Sequence, residues 1–331
     1  MKLITVAEHE AGQRLDKLLA KYLDQAPKSF FYKMLRKKNI TLNGKKAAGN
    51  EKLVVRDEIR LFLSDETIAG FTGKKEIVHT SGKLDIVYEN RHMMLINKPC
   101  GVLSQRAEKE DISVVEQLIS HLLETGEVTE DMLATFRPSV CNRLDRNTSG
   151  ILVAGKTLLG LQTMSELIQK RELRKFYLCI VSGVVKEASE AKGFLWKNEK
   201  TNQVKILKKQ EGDAKPIHTR YRPLADNGRD TLLEVELLTG RTHQIRAHLA
   251  SIGHALYGDT KYGKTELNRR LSKEFGLKHQ LLHAYCLEMP VLTGEFSDLS
   301  QKKFYAPVPE QFLKIAKERG LGTWRHGVPE V

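Results

Sequence analysis

Apolar positions recur along this chain with changing rhythm, and the rhythm divides it. Near the amino terminus, Leu15, Leu18, Leu19 and Tyr22 fall at i, i+3, i+4 and i+7, the spacing of one buried helix face. A second helix is expected after Ser29, with Phe31, Met34 and Leu35 inward and Lys33, Arg36 and Lys37 on another face. Ile40-Thr41-Leu42 reads as a strand entering an Asn43-Gly44 hairpin turn, and Ile59, Leu61 and Leu63 alternate as a closing strand. Residues 64 to 83 mix charge, glycine and threonine without a clear period and read as a linker.

From Leu84 short strands dominate. Asp85-Ile86-Val87-Tyr88 and Met93-Met94-Leu95-Ile96 flank a turn at Asn90, and further strands are expected at 151–154, 176–182, 204–207, 218–224 and 231–238. Helices are expected around Val115, Leu118, Ile119 and Leu122, near 158–170, near 243–252, and after Pro307-Val308-Pro309, where Phe312 and Ile315 face inward. Strand runs broken by a few helices imply an α+β fold around an extended mixed, largely antiparallel sheet. The predicted organisation is a small module at 1–63, a linker at 64–83, a large domain at 84–319 and a loose tail at 320–331.

Charge sharpens this picture. The 331 residues carry a formal net charge of +13. The first 63 contribute fourteen lysines and arginines against seven acids, and Lys28 to Lys46 contains seven basic residues and no acid. A charge run is ordinarily a solvated face, but one without interleaved acids suits a phosphate backbone, so nucleic acid is the expected partner. No strongly basic amphipathic helix supports membrane binding, and no apolar run approaches a membrane span. The start, Met1 to Glu10, has no apolar signal core, so a cytoplasmic location is expected. Cys100, Cys141, Cys179 and Cys286 stand far apart, as reduced thiols do, and the eleven histidines form no ligand cluster; neither metal nor cofactor is expected.

Candidate chemistry concentrates in Cys141-Asn142-Arg143-Leu144-Asp145-Arg146-Asn147-Thr148-Ser149-Gly150. It sets one carboxylate, Asp145, between two arginines in a turn before the apolar run 151–154. Neighbouring cations favour an ionised acid, a nucleophile or electrostatic anchor rather than a proton donor. The plainer reading is a turn aspartate in a surface ion-pair cluster. A glycosidase is disfavoured, because it needs a second carboxyl with a raised pKa. Gly150-Ile-Leu-Val-Ala-Gly155-Lys156-Thr157 satisfies the P-loop pattern, yet its middle residues are themselves a strand, and Thr157 is expected to cap the following helix. In Leu238-Thr239-Gly240-Arg241-Thr242-His243-Gln244-Ile245-Arg246, a strand ends, Thr242 can cap a helix, and Arg246 lies one step round from buried Ile245. His243 and His248 are five apart and do not share a face as metal ligands would. Tyr177, on a strand, is either a half-buried core ring or a surface on which a base stacks.

Two resemblances follow from these residues. Arg14-Leu15-Asp16, Leu18-Leu19, the helix from Ser29 to Lys37 and Thr41-Leu42-Asn43-Gly44-Lys45 resemble an S4-like RNA-binding domain. The family would set the second helix, with Lys33, Arg36 and Lys37, and the hairpin against structured RNA. Ile96 to Gly101, Arg143 to Gly150, Lys175-Phe176-Tyr177, Thr239 to Arg246, Gly258-Asp259 with Tyr262-Gly263, and Leu282-His283-Ala284 resemble an RluA-type pseudouridine synthase. One departure is Asn142, where the family commonly has histidine.

The resemblance implies isomerisation of uridine to pseudouridine in RNA without metal or cofactor. It implies Asp145 as nucleophile, Arg246 as its ion-pair partner, Tyr177 against the base, Leu282 closing the pocket, and Arg143 filling the gap left by a flipped uridine. Attack at C6 of the ring or at C1′ of the sugar stays open. Large-subunit ribosomal RNA is the expected substrate and transfer RNA the runner-up; a catalytically silent RNA-binding protein is the rival class. Nothing in the sequence demands more than a monomer.

Overall fold

The computed structural model describes residues 1–73, 79–80, 83–108, 110–198, 201, 203–322, 324–325 and 328–329. The amino-terminal part contains β1 (Lys2–Thr5), α1 (Leu15–Tyr22), α2 (Lys28–Arg36), β2 (Ile40–Leu42), β3 (Lys45–Lys46) and β4 (Glu58–Leu61). Its four strands pair antiparallel in the order β1-β4-β2-β3. Leu15, Leu18 and Leu19 of α1 and Phe31, Met34 and Leu35 of α2 meet Ile40, Ile59 and Leu61 in one core, as the helical and alternating spacings require. Asn43 and Gly44 both take positive φ, 51° and 72°, the backbone of a type I′ hairpin whose twist matches its strands. Lys33, Arg36, Lys37, Lys45 and Lys46 are left exposed, and none forms an ion pair among the described residues.

The segment expected to be a structureless linker begins with a helix, α3 (Asp65–Phe71). Ser64 caps it by accepting from the Thr67 amide, and Ile68 and Phe71 pack on the small core, Phe71 lying 4.7 Å from the Phe30 ring. Packing of these two half-buried residues holds a helix that has no apolar period of its own. Residues 74–78 and 81–82 of that segment lie outside the described residues.

The remaining elements are β5 (Ile86–Glu89), β6 (Met93–Lys98), α4 (Val114–Glu124), α5 (Glu130–Leu133), β7 (Ser139–Val140), β8 (Ser149–Gly155), α6 (Leu158–Gln169), β9 (Arg174–Ser182) and β10 (Ser189–Asn198). They continue with β11 (Gln203–Leu207), β12 (Lys215–Asp226), β13 (Asp230–Leu237), α7 (Gln244–Ser251), α8 (Thr265–Phe275), β14 (Leu282–Glu288), β15 (Lys303–Tyr305) and α9 (Glu310–Glu318). One large sheet runs β11-β10-β12-β13-β9-β14-β8-β6-β5, with β15 on β14 and β7 on β8. Its ladders are antiparallel except where β14 meets β8. This is the expected mixed, largely antiparallel sheet of an α+β protein.

Strand alternation buries both faces. Met94, Ile96, Leu152, Tyr177, Cys179 and Val235 turn toward α4 and α7, while Phe176, Leu178, Ile180 and Leu232 turn toward α8 and α9. The expected loose tail begins with Leu321 fully buried in the second of these cores, so the chain stays packed one residue past Gly320. Residues 323, 326–327 and 330–331 lie outside the described residues.

The parallel β14–β8 contact positions everything that follows. Gly150 has φ +109°, and a β-carbon there would meet the Ala284 carbonyl oxygen at 2.2 Å, so only glycine lets the two strands close. The Asp145 turn enters β8 at this point, and Tyr177 of β9 pairs with Ala284 of β14 beside it.

Candidate active site

Nearly every residue of the Asp145 turn is held by a group distant in sequence. Asn142 Oδ1 accepts the Val153 amide at 2.8 Å, so the asparagine at this position ties the turn back to β8. Ser104 Oγ bonds both backbone groups of Leu144, accepting from its amide at 3.0 Å and donating to its carbonyl at 2.9 Å. Thr148 meets the Gln280 amide at 3.2 Å, and Ser149 Oγ lies 2.9 Å from His283 Nδ1. His283 Nε2 faces the Ala306 carbonyl at 3.3 Å, which places the proton there and makes Nδ1 the acceptor from Ser149. This serine–histidine pair is sealed from solvent and braces the β14–β8 contact.

Lys98 is the central brace. Fully buried, its ammonium donates to the carbonyls of Pro99, Val102 and Arg146 at 2.9, 2.8 and 2.9 Å. Burial lowers it to about 8, against the raising pull of Cys100 and Asp145. A lysine here fits because three convergent carbonyls satisfy all three of its N–H groups. Lys98→Met is expected to leave those carbonyls unpaired and lower the unfolding free energy by about 2–4 kcal/mol, read as a drop in urea midpoint. An unchanged midpoint would remove the brace.

The turn delivers Asp145 to Arg246. Arg246 Nη1 donates to Asp145 Oδ2 at 2.9 Å, while its Nε and Nη2 donate to the two oxygens of Asp259 at 2.7 and 2.9 Å. Asp259 also accepts the Lys261 and Tyr262 amides at 2.9 and 3.0 Å. Burial works against the charge on Arg246, but hydrogen bonds and charge from Asp259, then Asp145, outweigh it and raise the guanidinium above its ordinary value. Burial would likewise raise Asp259, yet Arg246 and the two amides hold it below the ordinary carboxylate range. Arg246 is therefore a fixed cation, aimed by a buried acid behind it. The Tyr262 ring completes the seat, 5.4 Å from the guanidinium carbon.

Asp145 itself is reachable. Its side chain is 24% exposed against 6% for Arg246 and 1% for Asp259. Arg246 and the nearby His243 both face Oδ2, and Oδ1 accepts no hydrogen bond among the described residues. One oxygen is anchored and the other is free.

The other expected residues distribute as follows. Tyr177 is 5% exposed, and burial, then the Asp145 charge, push its phenol above the ordinary value. Leu282 lies in the same core cluster as Tyr177, opposite Cys179 on β9. Arg143 is exposed and forms no ion pair among the described residues, free to meet a ligand. Lys33 and Arg36 stand on α2 of the small sheet module and Lys37 at its C-cap, not in this seat.

Two sequence expectations about local structure resolve differently. Thr157 caps α6 by accepting the Gly160 amide at 3.1 Å, and Lys156 is buried between Glu89 and Glu127 at 2.6 and 2.5 Å, so the P-loop pattern offers phosphate nothing. Thr242 does not cap α7: His243 occupies the cap position in left-handed backbone and no side chain caps the helix. Asp259, Lys98, Ser104 and Tyr262 hold this network together through contacts that no local pattern announces, and Lys98 was visible only within the Ile96–Gly101 motif. Gly258-Asp259 and Tyr262-Gly263 were visible only as motif fragments.

Comparison with known proteins places the chain in a family. A family model described as RNA pseudouridylate synthase matches residues 92–251, which span the turn, Tyr177 and Arg246. The ribosomal large subunit pseudouridine synthase C of Pasteurella multocida (strain Pm70) is 30% identical over 326 residues, covering 95% of this chain and 93% of its own. The protein of the same name from Escherichia coli (strain K12) is 31% identical over 298 residues, 87% of this chain and 88% of its own. Among solved structures, human RNA Pseudouridylate Synthase Domain Containing 4 superposes with a TM-score of 0.58 at 20% identity, covering 72% of this chain and 94% of its own, a likeness of fold. With a relative of this identity matched along almost its whole length, the chain belongs to the RNA pseudouridine synthase family.

Proposed function

We propose that this enzyme isomerises uridine in large-subunit ribosomal RNA, with Asp145 as nucleophile, Arg246 as its anchor and Tyr177 against the base. One observation carries the reading: a solvent-reachable carboxylate has one oxygen tied to a buried, doubly paired arginine and the other unbonded among the described residues. Such a group attacks without first being freed from a partner. In the isomerisation, the N1–C1′ bond breaks, uracil turns while held, and C5 bonds to C1′. The C5 hydrogen leaves as a proton and N1 gains one, so composition and oxidation state are unchanged. Tyr177, its phenol kept protonated, offers a ring face for the base and a hydroxyl for hydrogen bonding. The exposed Arg143 is suited to fill the stack a flipped uridine vacates.

The relatives named for the ribosomal large subunit favour that RNA as substrate. The test is tritium release from large-subunit ribosomal RNA transcribed with 5-tritiated uridine, paired with chemical mapping of pseudouridine. Release at discrete uridines is expected; the absence of both signals sinks the reading.

Residues 1–63 are proposed to be an S4-like RNA-binding domain, supported by the exposed cations on α2 and the β2–β3 hairpin. Replacing Lys33, Arg36 and Lys37 together by alanine is expected to weaken RNA binding. The slope of log affinity against log salt should fall by about 1–3 units, with turnover at saturating RNA retained. An unchanged salt slope would show that this face meets no phosphate.

A further inference from the structure

His243 sits at the start of α7 with φ 54° and ψ 18°, a left-handed backbone that disfavours any residue with a β-carbon. Strain of this kind persists where surrounding contacts fix it, and here both ring nitrogens face defined partners. Nδ1 lies 2.9 Å from Tyr262 Oη, with the two rings edge to face at 5.7 Å. Tyr262 Oη already accepts the Val204 amide at 3.1 Å, leaving its own O–H to donate to Nδ1. On the other side, Nε2 faces Asp145 Oδ2 at 3.9 Å, an oxygen that can only accept. Both neighbours therefore select the tautomer with its proton on Nε2.

We propose that His243, held by Tyr262, is a positioning residue that turns Asp145 so that Oδ2 stays with Arg246 and Oδ1 is presented to the substrate. This rests on the reading of Asp145 as nucleophile. A carboxylate held through one oxygen by Arg246 alone can pivot about that contact. An N–H dipole facing the same oxygen from another direction removes the pivot. At 3.9 Å it orients the carboxylate without forming a hydrogen bond that the reaction must break. Because Val204 lies on β11, the same tyrosine ties the edge strand of the large sheet to the mouth of α7.

His243→Gly separates this role from a structural one, since glycine accepts the left-handed backbone while the imidazole is lost. Its unfolding midpoint and RNA affinity should stay near wild type while the single-turnover rate falls on the order of 10²-fold. Tyr262→Phe, which leaves His243 in place and removes only the hydroxyl, should slow the same step. The double variant should be no slower than the slower single variant, because the two groups act in series. A wild-type rate in His243→Gly, or losses that multiply in the double variant, overturns the proposal. Asp145→Asn distinguishes the two levels. Turnover in that variant removes the nucleophile itself, whereas an inert Asp145→Asn beside a fully active His243→Gly removes only the positioning role.

Discussion

Asp145→Asn is expected to abolish pseudouridine formation, a loss on the order of 10⁴-fold or more, while RNA binding persists. The amide keeps the volume and one acceptor for Arg246, so the turn is not displaced; what disappears is the nucleophilic charge. The fold should tolerate the change. Arg246 retains both bonds to Asp259, and the turn keeps Lys98, Ser104, Gln280 and His283. A stability cost of about 1 kcal/mol is expected from weakening a single partly exposed contact. Single-turnover tritium release, with a parallel filter-binding titration, reads both quantities. Release at the wild-type rate would transfer the nucleophile to another group.

The elements that form this site were legible to different degrees, for physical reasons. Helices α1 and α2 show their spacing because each buries one face on one small core, leaving the opposite face charged. Strand β10 and helix α8 were missed, because in β10 exposed lysine and glutamate alternate with small or half-buried residues and dilute the apolar signal. Helix α3 was missed because its stability comes from Ile68 and Phe71 docking on the small core, not from an apolar period within its seven residues. Thr242 lost the cap position because His243 is drawn between Tyr262 and Asp145, a tertiary demand that overrides local capping preference.

The site itself follows the same division. Asp145 stood out because arginines flank it, but its pairing with Arg246 spans 101 residues of sequence and no local rule supplies it. The family resemblance carried that pairing. Lys98 enters the sequence reading only within the Ile96–Gly101 motif, without a role, because its value lies in three carbonyls that converge only after folding. Asp259 enters only within the Gly258-Asp259 motif fragment, with no role given, and is among the most buried acids of the described residues, at 1% exposure. Buried polar networks of this kind are specified by satisfaction of all their members at once, which a linear pattern does not record.

Asp259→Asn should produce the largest combined loss of stability and turnover of any residue that never touches substrate. Arg246 is 6% exposed and spends two of its three bonds to carboxylates on Asp259. Removing the charge leaves the buried guanidinium with only the partly exposed Asp145 as counter-ion and sets the new amide N–H group against the Lys261 and Tyr262 amides or the guanidinium itself. Breaking a buried pair in this way costs about 3–5 kcal/mol. The guanidinium, no longer aimed, should release Asp145, and turnover should fall on the order of 10²-fold or more. The pH dependence has a definite sign. Because the folded state holds the Asp259 carboxyl below its ordinary value, its contribution is complete above about pH 4, the unfolded carboxyl range, and is lost as pH falls through the lower folded value. Wild-type urea midpoints should therefore drop on acidification below about pH 4 more steeply than those of Asp259→Asn, which has no such proton to bind. Equal acid slopes in the two proteins, or a variant as stable as wild type at neutral pH, would mean that Arg246 is anchored by something other than this acid.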